Sequence, residues 1–172
     1  MISKKIETAL NAQVELESYA SFLYLSMASW CDREGLEGCA EFMYRQSEEE
    51  NMHMMKLFHY INDVDGHALV PGVKRPPSDF PSVGQMFEEV YRHEQMVTKS
   101  IGQILDLCHE QNDHMTKSFM QWYINEQREE EALMRSILDR IKLIGDGPQH
   151  LYFINREISK INTKKAMGAD EA

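Results

Sequence analysis

The stretch His67-Ala68-Leu69-Val70-Pro71-Gly72-Val73-Lys74-Arg75-Pro76-Pro77-Ser78-Asp79-Phe80-Pro81 holds four of the five prolines in the chain. Proline lacks a backbone donor and clashes with the preceding turn, so no regular element survives that density. On both sides of it the chain reads as long helices. A first segment runs from about Lys5 to Asp32 and ends near Gly35. A second runs from about Leu36 to Asp65 and ends at Gly66. A third begins after Ser82, which forms a capping box with Gln85, and continues to about Glu110. Asn112 or Asp113 caps a fourth, which runs to Ile144 and stops at Gly145-Asp146-Gly147-Pro148. A fifth, short helix is expected from roughly Pro148 to Ser159, followed by a frayed polar tail over Asn162–Ala172.

The length of the proline-rich link decides the topology. A helix of about 28 residues is roughly 42 Å long at 1.5 Å per residue. A link of about 15 residues can extend to roughly 50 Å, enough to travel the whole length of such helices. The other main connections are short, so those neighbours are antiparallel. The expected fold is all-α: a four-helix bundle with one long crossover between helices 2 and 3, plus the short C-terminal helix. The whole chain, residues 1–172, reads as one domain.

Composition narrows the function. The 172 residues carry 18 basic and 28 acidic side chains, a formal charge of −10. Phosphate backbones need clustered Lys and Arg, so nucleic acid is not the expected partner; cations are. No stretch of about eighteen apolar residues suggests a membrane span. The first residues, Met1 to Leu10, lack the apolar run of a secretory signal. Cys31, Cys39 and Cys108 are odd in number and contain no C-x-x-C spacing, which fits reduced thiols in a cytoplasmic protein. The phosphate-cradling glycine motifs are absent.

The core stripe of each helix follows steps of three and four. It reads Ile6, Leu10, Gln13, Glu17, Ala20, Tyr24, Met27, Cys31 in the first helix. In the second it reads Leu36, Cys39, Met43, Gln46, Glu50, His53, Leu57, Tyr60, Val64. In the third it reads Val83, Phe87, Val90, Glu94, Val97, Ile101, Ile104, Cys108. In the fourth it reads Thr116, Met120, Tyr123, Gln127, Glu130, Met134, Ile137, Ile141, Ile144. Each stripe is interrupted near its middle: by Glu17, by Glu50 with His53, by Glu94, and by Gln127 with Glu130. An ionised carboxylate in a core costs several kcal/mol or takes up a proton. Several at one level also repel one another. Cations between them remove both penalties.

Carboxylates with a single imidazole suit Fe(II), Mn(II) or Zn(II) better than thiolate-preferring ions. Glu50 and His53 are three residues apart, as are Gln127 and Glu130, so each pair shares a helix face. The arrangement predicts two ions: Glu17 and His53 on one, Glu94 and the Gln127/Glu130 end on the other, and Glu50 between them. The second ion, in a nearly all-oxygen site, is expected to be held more weakly. The remaining histidines, His59, His67, His93, His109, His114 and His150, fall off the stripes and are expected at the surface or at interfaces.

These residues resemble the bacterial non-haem ferritins over nearly the whole chain. The similarity rests on Glu17 with Tyr24, on Glu48-Glu49-Glu50-Asn51-Met52-His53, and on Glu94 within Tyr91-Arg92-His93-Glu94-Gln95. It also rests on the run Gln121 to Glu130 and on Leu151-Tyr152-Phe153-Ile154. The resemblance implies a ferroxidase: two Fe(II) ions bind inside one subunit and are oxidised by O2 or H2O2. Ferric product then enters a mineral in the cavity of a 24-subunit homo-oligomer. It further implies that Glu17, Glu50 and His53 hold the first iron, and that Glu94 and Glu50 hold the second with Glu130 close by. Gln127 lines the centre, and Glu49, Glu126, Glu129 and Glu130 form a third iron site. Tyr24 is the implied electron donor, with a secondary redox role for Trp122.

Other readings compete at single positions. On the residues alone Glu49, Glu126 and Glu129 read as a solvated acidic face, the usual fate of such a run; the resemblance turns the reading towards a metal site. Tyr24 on the stripe could simply pack and hydrogen-bond a carboxylate. Asp113, near a short turn, is a candidate for an acidic entry channel. Haem is not expected: the haem-containing relatives carry a methionine directly after the bridging glutamate, where this chain has Asn51. Mini-ferritins lack the fifth helix, and rubrerythrin-like proteins carry two E-x-x-H motifs. A helical signalling bundle would share the long crossover but not the level core carboxylates.

Overall fold

A computed structural model of the chain describes the backbone of residues 2–147 and 149–169, with side chains through Asn162. Five helices follow one another: α1 (Lys4–Arg33), α2 (Glu37–Asp63), α3 (Val83–Glu110), α4 (His114–Ile144) and α5 (His150–Ala169). Among the described residues there is no strand, and no helix is long and apolar enough to cross a membrane.

Local chemistry sets most of the helix ends. Ser3, Ser82 and Asp113 each turn a side-chain oxygen onto an otherwise orphaned amide, from Ile6, Gln85 and Thr116 respectively. Gly145, at φ 67°, closes α4 in a conformation that only glycine adopts without strain. α2 is the exception. Its N-cap is Leu36, which has no capping side chain. The acceptor comes instead from α5: Oδ1 of Asn155 takes the Cys39 amide at 3.0 Å.

The link 64–82 runs along α1. Asn11 binds it at the start, through Nδ2 to the His67 carbonyl and Oδ1 to the Leu69 amide. Ser26 donates to the Pro77 carbonyl at 2.6 Å, and Arg33 meets Asp79 at 2.6 Å. From Asn11 to Arg33 the link therefore covers most of the helix length, as its reach allows. α3 consequently starts beside the end of α1, where Phe80, Val83 and Met86 pack with Trp30 and Cys31. The four helices run up, down, down, up.

The buried core falls into two apolar clusters. One contains Tyr24, Met27, Cys31, Met43, Phe87 and Met134. The other contains Leu10, Val14, Leu57, Val97, Met120 and Tyr123. On every helix the interrupting polar residues lie between the two clusters in sequence. They form a polar layer inside an apolar bundle.

Three expectations need correction. α5 is longer than expected, 20 residues in place of a short helix ending near Ser159. It continues through the segment expected to fray, to Ala169; Pro148 and residues 170–172 lie outside the described residues. Packing onto α2 explains the extension, because Ile154 and Ile158 are buried and Arg45 Nη1 donates to the Asn162 carbonyl at 2.8 Å. On α2, Tyr60 and Val64 are half-buried, and Ile61 instead closes the core at that end. His93 is not a surface or interface residue within this chain: it is 3% exposed. The buried face of α3 is wider than the stripe on one side, where Met86 and His93 lie seven residues apart along the edge.

Candidate metal centre

Glu17, Glu50, Glu94 and Glu130 are each at most 3% exposed, and His53 and Gln127 are 5% exposed. Each helix contributes at its middle, as a period of three and four residues requires when the same stripe faces the bundle axis throughout. Among the described residues, Glu17, Glu50 and His53 form a compact group whose ligand atoms lie within 4.8 Å of one another. His53 Nδ1 is 3.4 Å from Glu50 Oε2. The His53 carbonyl accepts from the Tyr123 hydroxyl at 2.7 Å, which ties this turn of α2 to α4.

Three glutamines hold three of the carboxylates. Gln13 Nε2 donates to Glu17 Oε1 at 2.8 Å. Gln46 Nε2 donates to Glu130 Oε2 at 3.0 Å. Gln127 Nε2 donates to Glu94 Oε2 at 2.9 Å and to the Glu94 carbonyl at 3.1 Å. Glu94 Oε1 accepts from the Tyr24 hydroxyl. Glu94 thus has a protein donor on both oxygens. Glu17 Oε2 and Glu50 Oε1, by contrast, are buried without a partner. Unsatisfied buried carboxylate oxygens are costly, and these two belong to the compact group.

The electrostatics follow from this burial. Desolvation, and next the charge of Glu50, push the Glu17 carboxyl well above the usual range. Desolvation and then Glu94 do the same to Glu50. Glu94 is pushed up to about 7 by burial, against the pull of its bonds from Tyr24 and Gln127. Burial pushes the Tyr24 hydroxyl well up as well, with Glu94 adding to it. The layer therefore retains protons where isolated carboxyls would have lost them. A divalent cation does the same work as those protons with a larger charge.

The sequence-predicted residues divide into groups. Glu17, Glu50 and His53 come together as one ligand set. Glu94 and Glu130 act on Glu50 by charge, and each takes an amide from a glutamine. Gln127 reaches the layer through its amide nitrogen, as the partner of Glu94. Tyr24 is fully buried against Glu94. Glu49 and Glu126 are half-buried and Glu129 is exposed, and none of the three belongs to the compact group. Trp122 lies edge-on to His53, with centroids 5.2 Å apart, and Lys56 Nζ sits 4.4 Å over its ring. Asp113 spends both carboxylate oxygens on capping α4, accepting from the Thr116 amide and hydroxyl.

Sequence reading passed over Gln13, Gln46, Tyr123 and His93 as parts of the site. Gln13 and Gln46 carry a usable signal, since an amide on a core stripe needs a buried partner. His93 carries none in its spacing.

Residues 7–144 match the ferritin-like domain of the Ferritin family. This chain belongs to the ferritin family. It is 43% identical over 161 residues to the bacterial non-heme ferritin of Campylobacter jejuni, covering 94% of this chain and 96% of the relative. It is 37% identical to the bacterial non-heme ferritin of Escherichia coli O157:H7, covering 95% and 99%. In three dimensions it is similar to an open-pore ferritin from the archaeon Archaeoglobus fulgidus. The TM-score there is 0.89 and the identity 41%, over 92% of this chain and 98% of the other. Ferritin membership carries iron oxidation and storage as its general function, and the Glu17–Glu50–His53 group is a candidate position for a metal ion.

Proposed function

We propose that this ferritin is a ferroxidase with two iron positions inside each subunit. Glu17, Glu50 and His53 hold the first Fe(II). Glu50 bridges to the second, which Glu94 and Glu130 hold. Gln127 positions Glu94, and Tyr24 is the one-electron donor beside it. O2 or H2O2 takes the electrons, and the ferric product passes to a mineral inside a hollow homo-oligomeric shell of 24 copies. Glu49, Glu126, Glu129 and Glu130 form a third, transit position on the way out. The setting is cytoplasmic and no haem takes part.

The observation that carries the reading is the pair of buried, unpartnered oxygens on Glu17 and Glu50, beside His53. Hard oxygen ligands favour Fe(III) over Fe(II), which eases oxidation. At the second position Glu94 already accepts from Gln127 and Tyr24, and Glu130 from Gln46. The only imidazole of the layer belongs to the first position, so the second is nearly all-oxygen, which supports a weaker, exchangeable second iron.

The test is anaerobic Fe(II) loading of the metal-free protein followed by rapid mixing with oxygen, with visible absorbance and iron per subunit as readouts. A fast phase that ends near two irons per subunit, followed by slow uptake of many more, is the expected result. A fast phase without further uptake would leave a catalytic di-iron protein that stores nothing. No fast phase would assign the layer to another metal.

A further inference from the structure

His93 is buried in an unusual way. Neither ring nitrogen has a hydrogen-bond partner, although a buried imidazole ordinarily has one. Burial lowers its pKa to about 4, so the ring is neutral. What it does have is aromatic company on two sides. Tyr19 stacks on it, with centroids 5.7 Å apart and an interplanar angle of 26°. Tyr24 meets it edge to face, with centroids 6.2 Å apart and an angle of 75°. Tyr24 is fully buried and bonded to Glu94, whereas Tyr19 is half-buried. The three rings form a chain of contacts, one stacked and one edge to face, from the carboxylate layer towards half-buried Tyr19. Packing alone would be served as well by leucine at 93, without the desolvated nitrogens.

We propose that Tyr19 is a second redox-active tyrosine, which refills Tyr24 with electrons through the ring of His93. The proposal rests on the ferroxidase reading above. Dioxygen takes four electrons in becoming two waters. Two Fe(II) ions at the centre supply two. Each of the other two leaves Tyr24, whose phenolic proton passes to the Glu94 carboxylate that already accepts its hydrogen bond. One electron then crosses from Tyr19, Tyr24 recovers its proton from Glu94, and Tyr19 releases its own proton to solvent. Fe(II) arriving from solution reduces the Tyr19 radical and becomes Fe(III), and Tyr19 takes a proton back from water. Two passages complete the reduction: four Fe(II), one O2 and four protons yield four Fe(III) and two waters. The imidazole is not oxidised; it contacts both phenol rings and so lies on the path between them.

The test compares the assembled wild-type protein with Tyr19→Phe, which keeps the ring and removes only the hydroxyl. Excess Fe(II) is mixed with limiting O2, and the readouts are freeze-quench EPR of tyrosyl radicals, Fe(II) consumed per O2, and peroxide released. The expected wild-type result is a transient radical and a consumption approaching four Fe(II) per O2. In Tyr19→Phe the first fast phase keeps its rate, the Tyr24 radical lives about tenfold longer, consumption falls towards two Fe(II) per O2, and peroxide appears. His93→Leu, a packing-compatible replacement, lengthens the radical lifetime in the same direction. Unchanged radical lifetime and stoichiometry in Tyr19→Phe would overturn the relay while leaving the ferroxidase reading intact. So would a response to Trp122→Phe alone, which would move the path to the His53 side. Absence of any fast phase in the wild type would sink the ferroxidase reading and the relay with it.

Discussion

Gln127 and Glu94, on α4 and α3, are locked together: the amide nitrogen of Gln127 donates both to Oε2 of Glu94 at 2.9 Å and to its main-chain carbonyl at 3.1 Å. The same nitrogen approaches Thr98 Oγ1 at 3.4 Å. One side chain thus fixes the direction of a carboxylate on the neighbouring helix. Replacing Gln127 by Ala removes a charge-assisted bond to a buried acid, a loss of about 1–3 kcal/mol. We expect the variant to fold and to keep the first cation, because Glu17, Glu50 and His53 are untouched. The second cation should bind about tenfold more weakly. Anaerobic titration with Zn(II) or Fe(II), followed by calorimetry, separates the two steps. Equal weakening of both would show that Gln127 acts on the whole layer.

Glu17 and Glu50 destabilise the metal-free bundle and stabilise the loaded one. Glu17→Gln removes an acid whose carboxyl burial and Glu50 push well above the usual range. The expected melting temperature of the chelated variant is equal to or above that of the wild type. Its rise on adding Zn(II) should be largely lost, and initial Fe(II) oxidation should fall by about tenfold or more. His53→Ala should show the same loss of metal response. A Zn(II) shift of wild-type size in both variants would remove them from the first cation position.

The metal-free protein should lose stability as pH rises. The Glu94 carboxyl sits at about 7 in the fold against an ordinary value of 4.5, with Glu17 and Glu50 raised in the same direction. A group raised on folding contributes stability that is complete below its unfolded value and is lost as pH climbs through the folded one. For Glu94 alone that loss is roughly 3 kcal/mol, spread between about pH 4.5 and pH 7. Bound cations abolish it, so the stabilisation by Zn(II) should grow over the same range. Thermal melts of chelated and loaded protein between about pH 5 and pH 8 read this directly. A flat chelated profile would mean that the layer is already neutralised within the protein.

Gly38 is the seat of α5. A Cβ at this position would lie 2.6 Å from the Asn155 carbonyl oxygen and 2.8 Å from Ser159 Cβ. Backbone cannot yield cheaply at that distance, so Gly38→Ala must push α5 away and pull Asn155 from the start of α2. The expected cost is about 1–3 kcal/mol, with α5 becoming the first site of proteolysis. Limited proteolysis with mass spectrometry would detect it. Fe(II) oxidation should be nearly unchanged, because the carboxylate layer lies elsewhere.

Four long helices, the crossover and the level of the polar layer are written in the chain locally. These are local properties: periodicity, capping residues and proline density act within a few residues of where they are written. Glu17, Glu50 and His53 were legible for the same reason, since a charge on an apolar stripe announces itself. Which groups meet across the bundle is settled by the packing of the helices. Gln46 and Glu130 are 84 residues apart, and Gln127 and Glu94 are 33 apart. Nothing in either segment specifies the other until the helices pack. His93 stands just off its stripe and became an interior ring between two tyrosines because the buried face of α3 is wider than one stripe. α2 took its cap from Asn155, 116 positions from the Cys39 amide it accepts, and α5 gained its length from the same docking. Helix formation is a short-range matter, whereas the partner of a buried polar atom is settled only when distant surfaces exclude water together.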